Sequence, residues 1–149
     1  MKLAEALQER ADLNRKVQQL RSRLMDNALV QEGEKTAEDP AALLKDYEGA
    51  LSALEDITAK INLANCRTQV EGRTLTELIA RRDALTQQAG TLRDLAQTAS
   101  RTYQRATRSE IKIMSAVDVQ VLQKKADQLS KQLRLLDNTI QQTNWTVDL

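Results

Sequence analysis

Apolar residues recur at alternating spacings of three and four along four long stretches of this chain. This heptad spacing keeps one face of a helix apolar, as helices in bundles and coiled coils require. It predicts helices at residues 2–26, 40–65, 75–106 and 116–143 of a single domain, 1–149. The second and fourth helices are the most regular. The second seam, which Leu44 and Leu51 widen, consists of Leu43, Tyr47, Ala50, Leu54, Ile57, Ile61 and Ala64, and the fourth consists of Val119, Leu122, Ala126, Leu129, Leu133, Leu136 and Ile140. The first seam consists of Leu3, Ala6, Leu13, Val17, Leu20 and Leu24, and the third consists of Leu75, Leu78, Leu85, Ala89, Leu92, Ala96, Ala99 and Tyr103.

The composition supports long helices. The chain has 149 residues with 4 Gly, 1 Pro, no Phe and 2% aromatic residues, whereas 29% of its residues are charged. A β-sandwich or an α/β enzyme would contain more Gly, Pro and aromatic residues. Because the connections are short, neighbouring helices are expected to run antiparallel. The sequence therefore predicts an all-α fold, an antiparallel coiled-coil or up-down bundle of about four helices.

Capping residues mark where three of these helices begin. Asp39 is a suitable N-cap for the second helix, with Pro40 at the first helical position. Thr74 and Glu77 have the spacing of a capping box before the third helix. Ser115 and Asp118 are the candidate caps for the fourth helix. These residues define where a helix begins more precisely than the heptad spacing does.

The absence of histidine narrows the range of functions. Without His, the chain lacks the commonest general base near neutral pH and cannot form a Ser-His-Asp site, a Cys-His site or a His-ligated zinc site. We therefore expect no enzymatic activity, no catalytic residues, no metal site and no cofactor.

The charge balance and the length of the apolar runs limit the classes of partner that the chain is expected to bind. The chain has 22 basic and 21 acidic residues, which gives no overall attraction to nucleic acid or to anionic lipid. No apolar run is long enough to span a bilayer, and the start MKLAEALQER lacks the apolar stretch of a signal peptide. A single Cys fits a reducing compartment. We expect a cytoplasmic protein that binds neither nucleic acid nor membrane.

The third predicted helix is thinly apolar in its second half, where most seam positions are Ala. Alanine lets helices approach closely but buries little area. We infer that a single chain is under-packed and that another copy completes the core. The expected partner is therefore a second copy, in a dimer or a higher homo-oligomer, with a further protein partner at one end of the bundle as an alternative.

Short segments with alternating polar and apolar residues flank the helices. Residues 28–32, 66–70 and 110–114 show this alternation, which is typical of strands. They could pair within a chain or between chains, or they could be ordered loops. Residues 145–149 also alternate and could form a further β pairing. Trp145 follows the fourth predicted helix, where it would be a plug over the end of the bundle or an interface anchor rather than a ligand-stacking residue.

The connection between the second and third helices contains the only Cys of the chain and two Asn residues. Asn62 and Asn65 lie three residues apart on one face, where they suit C-capping. Cys66 is expected to be half-buried and unreactive, because no His is present to activate its thiol. Glu71 and Gly72 then predict a turn, since Gly tolerates a positive φ. Asn62, Asn65 and Cys66 are candidates for a ligand or partner site.

One arginine occupies a seam position in each of two helices. Arg10 and Arg82 each lie seven residues after the Leu that starts the seam, so an up-down bundle would place them at similar height. A buried Arg needs carboxylate partners. The candidate partners are Glu55, Asp56, Asp137, Asp12 and Asp83. The two arginines either fix the register of the helices or line a pocket for a small anion.

Four stretches of the chain resemble a known family. They are MKLAEALQERADLNRKVQQLRSRL, NALVQEGE, INLANCRTQVEGRTLTELIARRDAL and SEIKIMSAVDVQVLQKKADQLSKQLRLLDNTIQQTNW. They are similar to small bacterial proteins that are often labelled septicolysin or left uncharacterised. The resemblance spans nearly the whole chain and is weakest at residues 86–108. It implies an all-helical cytoplasmic protein of unknown function, and the label implies a cytolysin.

Four functional hypotheses result. The first is a non-enzymatic, self-associating helical scaffold or adaptor that works through one of its ends. The others are a small-anion-binding module with a polar layer near Arg10 and Arg82, a cytolysin as the label implies, and a prefoldin-like holdase. The cytolysin is disfavoured, because the sequence shows no secretion signal and no apolar hairpin suited to membrane insertion.

Overall fold

The computed structural model describes residues 1–102 and 111–149, and most of these residues are helical. The helices are α1 (Leu3–Asp26), α2 (Pro40–Arg67), α3 (Leu75–Ala99) and α4 (Val119–Thr146). Between α2 and α3, a small two-stranded sheet consists of β1 (Gln69–Val70) and β2 (Arg73–Thr74). The all-α helical-bundle class that the heptad spacing predicts is confirmed.

Capping residues start α2 and α3 where the sequence predicts them, whereas α4 starts at Val119 and not at residue 116, with Asp118 and not Ser115 as its cap. Asp39 Oδ1 accepts a hydrogen bond from the Ala41 N–H at 3.2 Å. Thr74 and Glu77 form the predicted capping box, in which the Glu77 N–H donates to Thr74 Oγ1 at 3.2 Å. Asp118 Oδ1 accepts from two backbone N–H groups of α4, at 3.1 and 3.2 Å. Each cap satisfies donors that the first turn of a helix leaves unpaired.

The first compact unit comprises Met1–Val70 and Thr143–Leu149. In it α1 packs against α2 through a cluster made only of predicted seam positions, namely Val17, Leu20, Leu43 and Ala50. The turn between the helices is fixed by Asn27, which is 7% exposed. Its side chain donates to the Arg23 carbonyl and accepts the Glu38 N–H, both at 2.9 Å. Since Arg23 and Glu38 also form an ion pair, the end of α1 is joined to the segment before α2.

The second compact unit comprises Glu71–Gln142, and its core lies between α3 and α4. The core consists again of predicted seam positions, namely Leu85, Ala89 and Leu129 with Leu92, Leu133 and Leu136 around them. Arg93, late in α3, donates to Ser130 in the first half of α4. Arg82, early in α3, lies 4.0 Å from Asp137 late in α4. The two helices therefore run antiparallel, as predicted for neighbours.

The first residues of the chain pair with residues 147–149. Lys2 and Asp148 form an antiparallel bridge, with a backbone hydrogen bond of 2.9 Å on each side of it. Lys2 Nζ donates to Asp148 Oδ2 at 2.9 Å and to the Thr146 carbonyl at 3.1 Å. The hydrogen bond and the positive charge of Lys2 lower the pKa of the Asp148 carboxyl below its usual value. The alternating residues at this end of the sequence therefore do pair.

Two of the three segments with alternating residues form no strand in the described part of the chain, in agreement with the alternative of ordered loops. Residues 28–32 form no strand, and Leu29 is 90% exposed. Residues 111–114 form none either, with Ile111 76% exposed, while residue 110 of that prediction lies outside the described residues. Alternation alone does not make a strand, because the backbone N–H and C=O groups also need a paired edge.

The third predicted strand, 66–70, is shorter than expected. α2 continues through Arg67, so that only residues 69 and 70 belong to β1. Glu71 and Gly72 have φ values of 51° and 81°, and two successive positive φ angles are typical of a type I′ hairpin turn. The predicted turn at these residues is confirmed, and it joins β1 to β2.

The third helix ends earlier than the heptads predict. α3 stops at Ala99, not near residue 106. The Ser100 N–H and Oγ both donate to the Ala96 carbonyl, at 3.1 and 2.7 Å, so Ser100 competes for a carbonyl at the end of the last turn. Residues 103–106 of the prediction lie outside the described part of the chain.

Candidate functional site

The six candidate residues are distributed over both compact units. Five belong to the first unit and one to the second. Those of the first unit are Arg10 on α1, Asn62, Asn65 and Cys66 near the end of α2, and Trp145 in the last turn of α4. Arg82, on α3, belongs to the second unit. Neither unit by itself therefore contains the complete predicted site.

Arg82 has the acidic partners that a half-buried arginine requires. Its Nε and Nη2 donate to Asp83 Oδ1 at 3.0 and 2.9 Å. Its Nη1 lies 4.0 Å from Asp137 Oδ1 on α4. Both carboxylates are among the partners that the sequence predicts for it. They balance the charge of the guanidinium and link α3 to α4 through a polar contact in an otherwise apolar seam.

Arg10 lacks such partners, although it is also half-buried. Its predicted local partner, Asp12, forms an ion pair with Arg15 instead. Its carbonyl accepts a hydrogen bond from Asn14 Nδ2 at 3.0 Å. Among residues 1–102 and 111–149, no carboxylate forms an ion pair with Arg10. The two arginines therefore differ in their surroundings despite their equivalent sequence positions.

The Asn pair and Cys66 do not occupy the positions that the sequence predicts. The C-cap of α2 is Thr68, whose N–H donates to the Ala64 carbonyl at 2.9 Å, so the prediction of Asn C-caps is wrong. Cys66 is exposed and not half-buried. The helix continues past it, and two residues beyond buried Ala64 a helix presents its opposite face.

Trp145 is 53% exposed at the end of α4, although its neighbours Thr143 and Asn144 are buried. A plug over the end of a bundle would have its ring covered. The exposure therefore favours the interpretation of Trp145 as an interface anchor, since large aromatic residues contribute strongly to protein interfaces.

A cavity of about 410 Å³ in the first unit was not foreseen from the sequence. Its charged lining consists of Glu9, Asp56 and Lys60, with Ala53 and Ile57 among its apolar lining. All three charged side chains are exposed, so water already solvates them. The cavity presents no buried polar group that would select a ligand. No motif in the sequence marks it, because its lining combines residues of α1 and α2 with Met1 and Leu149 at the two ends of the chain.

The thin packing predicted for the second half of α3 coincides with a groove of about 560 Å³ in the second unit. The groove is lined by Arg93, Ala96, Gln97, Ser100, Gln123, Ala126 and Asp127. Two facing seam positions in it, Ala96 and Ala126, are buried but small. Small side chains at these positions leave open space between the helices.

A second heptad-spaced face of α2 is exposed. We call it the acidic stripe, and it consists of Leu44, Glu48, Leu51, Glu55 and Thr58. Leu44 is 47% exposed and Leu51 is 43% exposed, so the expectation that they widen the buried seam is wrong. A groove of about 470 Å³ follows this face and includes Asn62 in its lining. Among the candidate residues, Asn62 is the one that adjoins this exposed apolar face.

A corresponding face of α4 is also exposed. We call it the basic stripe, and it consists of Val121, Lys124, Gln128, Lys131 and Leu135. Val121 is 58% exposed and Leu135 is 55% exposed. The sequence contained the signal for this face, since Val121 and Leu135 lie two heptads apart. The face was missed because the same helix also has a more regular apolar seam, which is the one that is buried.

The described part of the chain contains neither a metal-binding cluster nor a helix that could span a membrane. Within residues 1–102 and 111–149, no cluster of His, Cys, Asp or Glu has an arrangement that could hold a metal ion. In the same ranges, no helix has both the length and the apolar character needed to cross a bilayer.

Comparison with known proteins yields a family and a structural relative. The model of a family of unknown function, DUF6847, matches residues 10–149. The crystal structure of a functionally unknown conserved protein from Corynebacterium diphtheriae is similar to the whole chain, with a TM-score of 0.94 and 38% sequence identity over 98% of that protein. No curated protein matches the sequence significantly.

Proposed function

The chain belongs to DUF6847, a family of unknown function, and we propose that it acts as a non-enzymatic, self-associating helical scaffold or adaptor. In this proposal the buried seams hold each copy together, and the exposed helix faces bind further copies or a protein partner in the cytoplasm. No relative supplies an activity, so the proposal depends on the surface of this chain.

The observation that carries the proposal is the pair of exposed, heptad-spaced stripes. Leu44 and Leu51 on α2 and Val121 and Leu135 on α4 are between 43% and 58% exposed in the whole chain. Single exposed apolar residues are ordinary on protein surfaces. Leu44 and Leu51 lie one heptad apart and Val121 and Leu135 lie two heptads apart, and apolar residues at heptad spacing on long helices are typical of helix-packing interfaces. Their spacing thus supports assembly through helix faces.

The surroundings of Arg82 speak against the alternative of an anion-binding module. Asp83 and Asp137 already lie beside its guanidinium, and two carboxylates repel a further anion. A thermal-shift screen with phosphate and small carboxylates tests this alternative, and stabilisation by any of them would favour it over the scaffold.

The resemblance to proteins labelled septicolysin stays a prediction, as do the cytolysin and holdase hypotheses. Release of dye from liposomes on addition of the protein would support the cytolysin. Suppression of the aggregation of an unfolded client would support the prefoldin-like holdase. The scaffold proposal expects neither activity.

Sedimentation velocity over a range from low to high micromolar concentration tests self-association directly. The proposal expects the weight-average sedimentation coefficient to rise with concentration, because association follows mass action. Light scattering on the same samples gives the mass of the assembly. A monomer at every concentration would refute self-association.

A further inference from the structure

The acidic and basic stripes have the same length and compatible spacing. Along the acidic stripe the residues step by 4, 3, 4 and 3, and along the basic stripe they step by 3, 4, 3 and 4. Each stripe therefore spans about 21 Å at 1.5 Å per residue. Reversing one helix brings the two series of steps into register.

We propose that the acidic stripe of one copy packs antiparallel against the basic stripe of a second copy. This inference rests on the proposed self-association and names the surface that mediates it. The facing pairs are Leu44–Leu135, Glu48–Lys131, Leu51–Gln128, Glu55–Lys124 and Thr58–Val121. The apolar pair Leu44–Leu135 then lies at one end of the stripe, the methyl group of Thr58 faces Val121 at the other end, and both ionic pairs match opposite charges.

The charged residues of the two stripes are available for this contact. Glu48, Glu55, Lys124 and Lys131 are all exposed. Within the described part of the chain, none of the four belongs to an ion pair. Parallel packing fits less well, because placing Leu44 opposite Val121 puts Glu55 opposite Gln132 and loses one ionic pair.

Charge complementarity indicates that the acidic stripe of one copy contacts the basic stripe of a second copy and not a second acidic stripe. Two acidic stripes would bring Glu48 and Glu55 of both copies together, and two basic stripes would do the same with Lys124 and Lys131. Like charges at a helix interface are repulsive and select against that pairing. A contact between unlike stripes has no such repulsion.

The charge of the two compact units favours the same contact. The unit that carries the acidic stripe contains 13 acidic and 10 basic residues, whereas the unit that carries the basic stripe contains 12 basic and 8 acidic residues. The long-range field of each unit thus attracts the opposite stripe of another copy and repels its own kind.

A pair of charge-reversal variants tests the contact. One variant carries Glu48→Lys and Glu55→Lys, and the other carries Lys124→Glu and Lys131→Glu. In each variant both stripes have the same sign, so we expect self-association measured by sedimentation velocity to weaken by about tenfold or more. Circular dichroism and thermal unfolding establish that each variant is folded, since all four residues are exposed.

Mixing the two variants gives the sharper result. The lysine stripe on α2 of the first variant is complementary to the glutamate stripe on α4 of the second, and the unaltered stripes are complementary as well. We therefore expect an equimolar mixture to associate about as tightly as the wild-type chain. Recovered association would support the stripe contact, because mixing cannot repair a general loss of solubility or folding. A mixture that stays dissociated would overturn the contact.

A matched control for the variant with Lys124→Glu and Lys131→Glu is Lys16→Glu with Arg21→Glu, which makes the same change of net charge at exposed positions of α1. Its self-association should stay near that of the wild type. If all the variants associate like the wild type, the stripe contact is refuted while the scaffold proposal stands. If the wild-type chain itself is monomeric, both self-association and the stripe contact are refuted. The stripes would then have to bind a partner other than a second copy.

Discussion

At the scale of single residues, equivalent sequence positions lead to different environments. Arg10 and Arg82 occupy the same seam position relative to their first Leu. Arg82 lies beside two carboxylates, Asp83 and Asp137. The predicted local partner of Arg10, Asp12, pairs with Arg15 instead. Heptad position determines how deeply an arginine lies but does not determine which carboxylate reaches it, because that depends on side-chain conformations and on the neighbouring helix.

The substitution Arg82→Leu tests whether this arginine fixes helix register. We expect a folded variant whose free energy of unfolding changes by less than about 1 kcal/mol, because an ion pair that is 32% exposed on the Arg side contributes little. We also expect an altered assembly state, since a single polar seam residue restricts alternative packings. Urea denaturation and sedimentation velocity measure the two quantities. Arg81→Leu, at an exposed neighbouring position, is the control, and identical assembly of both variants would contradict the register role.

At the scale of elements, the sequence predicted the helices better than the segments between them. The seams and caps were predictable because a helix depends on its own residues: Ile57 and Ile61 are buried and Thr74 caps α3 as expected. The segment 28–32 was not predictable from its alternation, because a strand depends on a partner elsewhere. The exposure of Leu44 was missed for a similar reason, since the sequence does not show which of two apolar faces finds a partner.

The hairpin turn between β1 and β2 contains a residue that is poorly suited to its conformation. Glu71 has a φ of 51°, a region that costs non-Gly residues about 1–2 kcal/mol but that Asn tolerates. We expect Glu71→Asn to raise the free energy of unfolding by up to about 1 kcal/mol, since Asn-Gly is the preferred type I′ pair. Urea denaturation measures the change. Glu71→Ala is the control, and an equal gain in it would show that the effect comes from removing the charge.

The capping box of α3 should make stability sensitive to acid. The Thr74 N–H and hydroxyl donate to Glu77 Oε2 at 2.6 and 2.9 Å. These bonds lower the pKa of Glu77 below its usual value of 4.5. A carboxyl whose pKa is lower in the folded state stabilises the fold above its unfolded pKa, and this contribution is lost as the pH falls through the folded pKa.

We therefore expect wild-type stability to fall more steeply than that of Glu77→Gln as the pH is lowered from about 5 to 3. Urea denaturation at a series of pH values measures both slopes. The variant Asp94→Asn, which removes an exposed carboxyl outside the cap, is the control. Parallel curves for wild type and Glu77→Gln would mean that the cap is not the acid-sensitive element.

At the scale of the whole molecule, the near-neutral net charge conceals a segregation of charge. The formal net charge is +1, from which the sequence predicts no attraction to polyanions. In the proposed contact, the excess of acidic residues in one unit attracts the excess of basic residues in the other unit of a second copy. Because that attraction needs no net charge, it is compatible with the absence of nucleic-acid binding expected from the sequence.

Self-association through these stripes should couple thermal stability to protein concentration. Association of folded chains stabilises them by mass action, so we expect the unfolding temperature of the wild type to rise with concentration. The variant with Glu48→Lys and Glu55→Lys should show a smaller rise. Salt at about 1 M should reduce the wild-type rise, because it screens the exposed Glu48–Lys131 and Glu55–Lys124 pairs, whereas the apolar contacts of Leu44 and Leu135 persist. Differential scanning calorimetry measures these shifts, and an unfolding temperature that does not depend on concentration would contradict assembly of the folded chain.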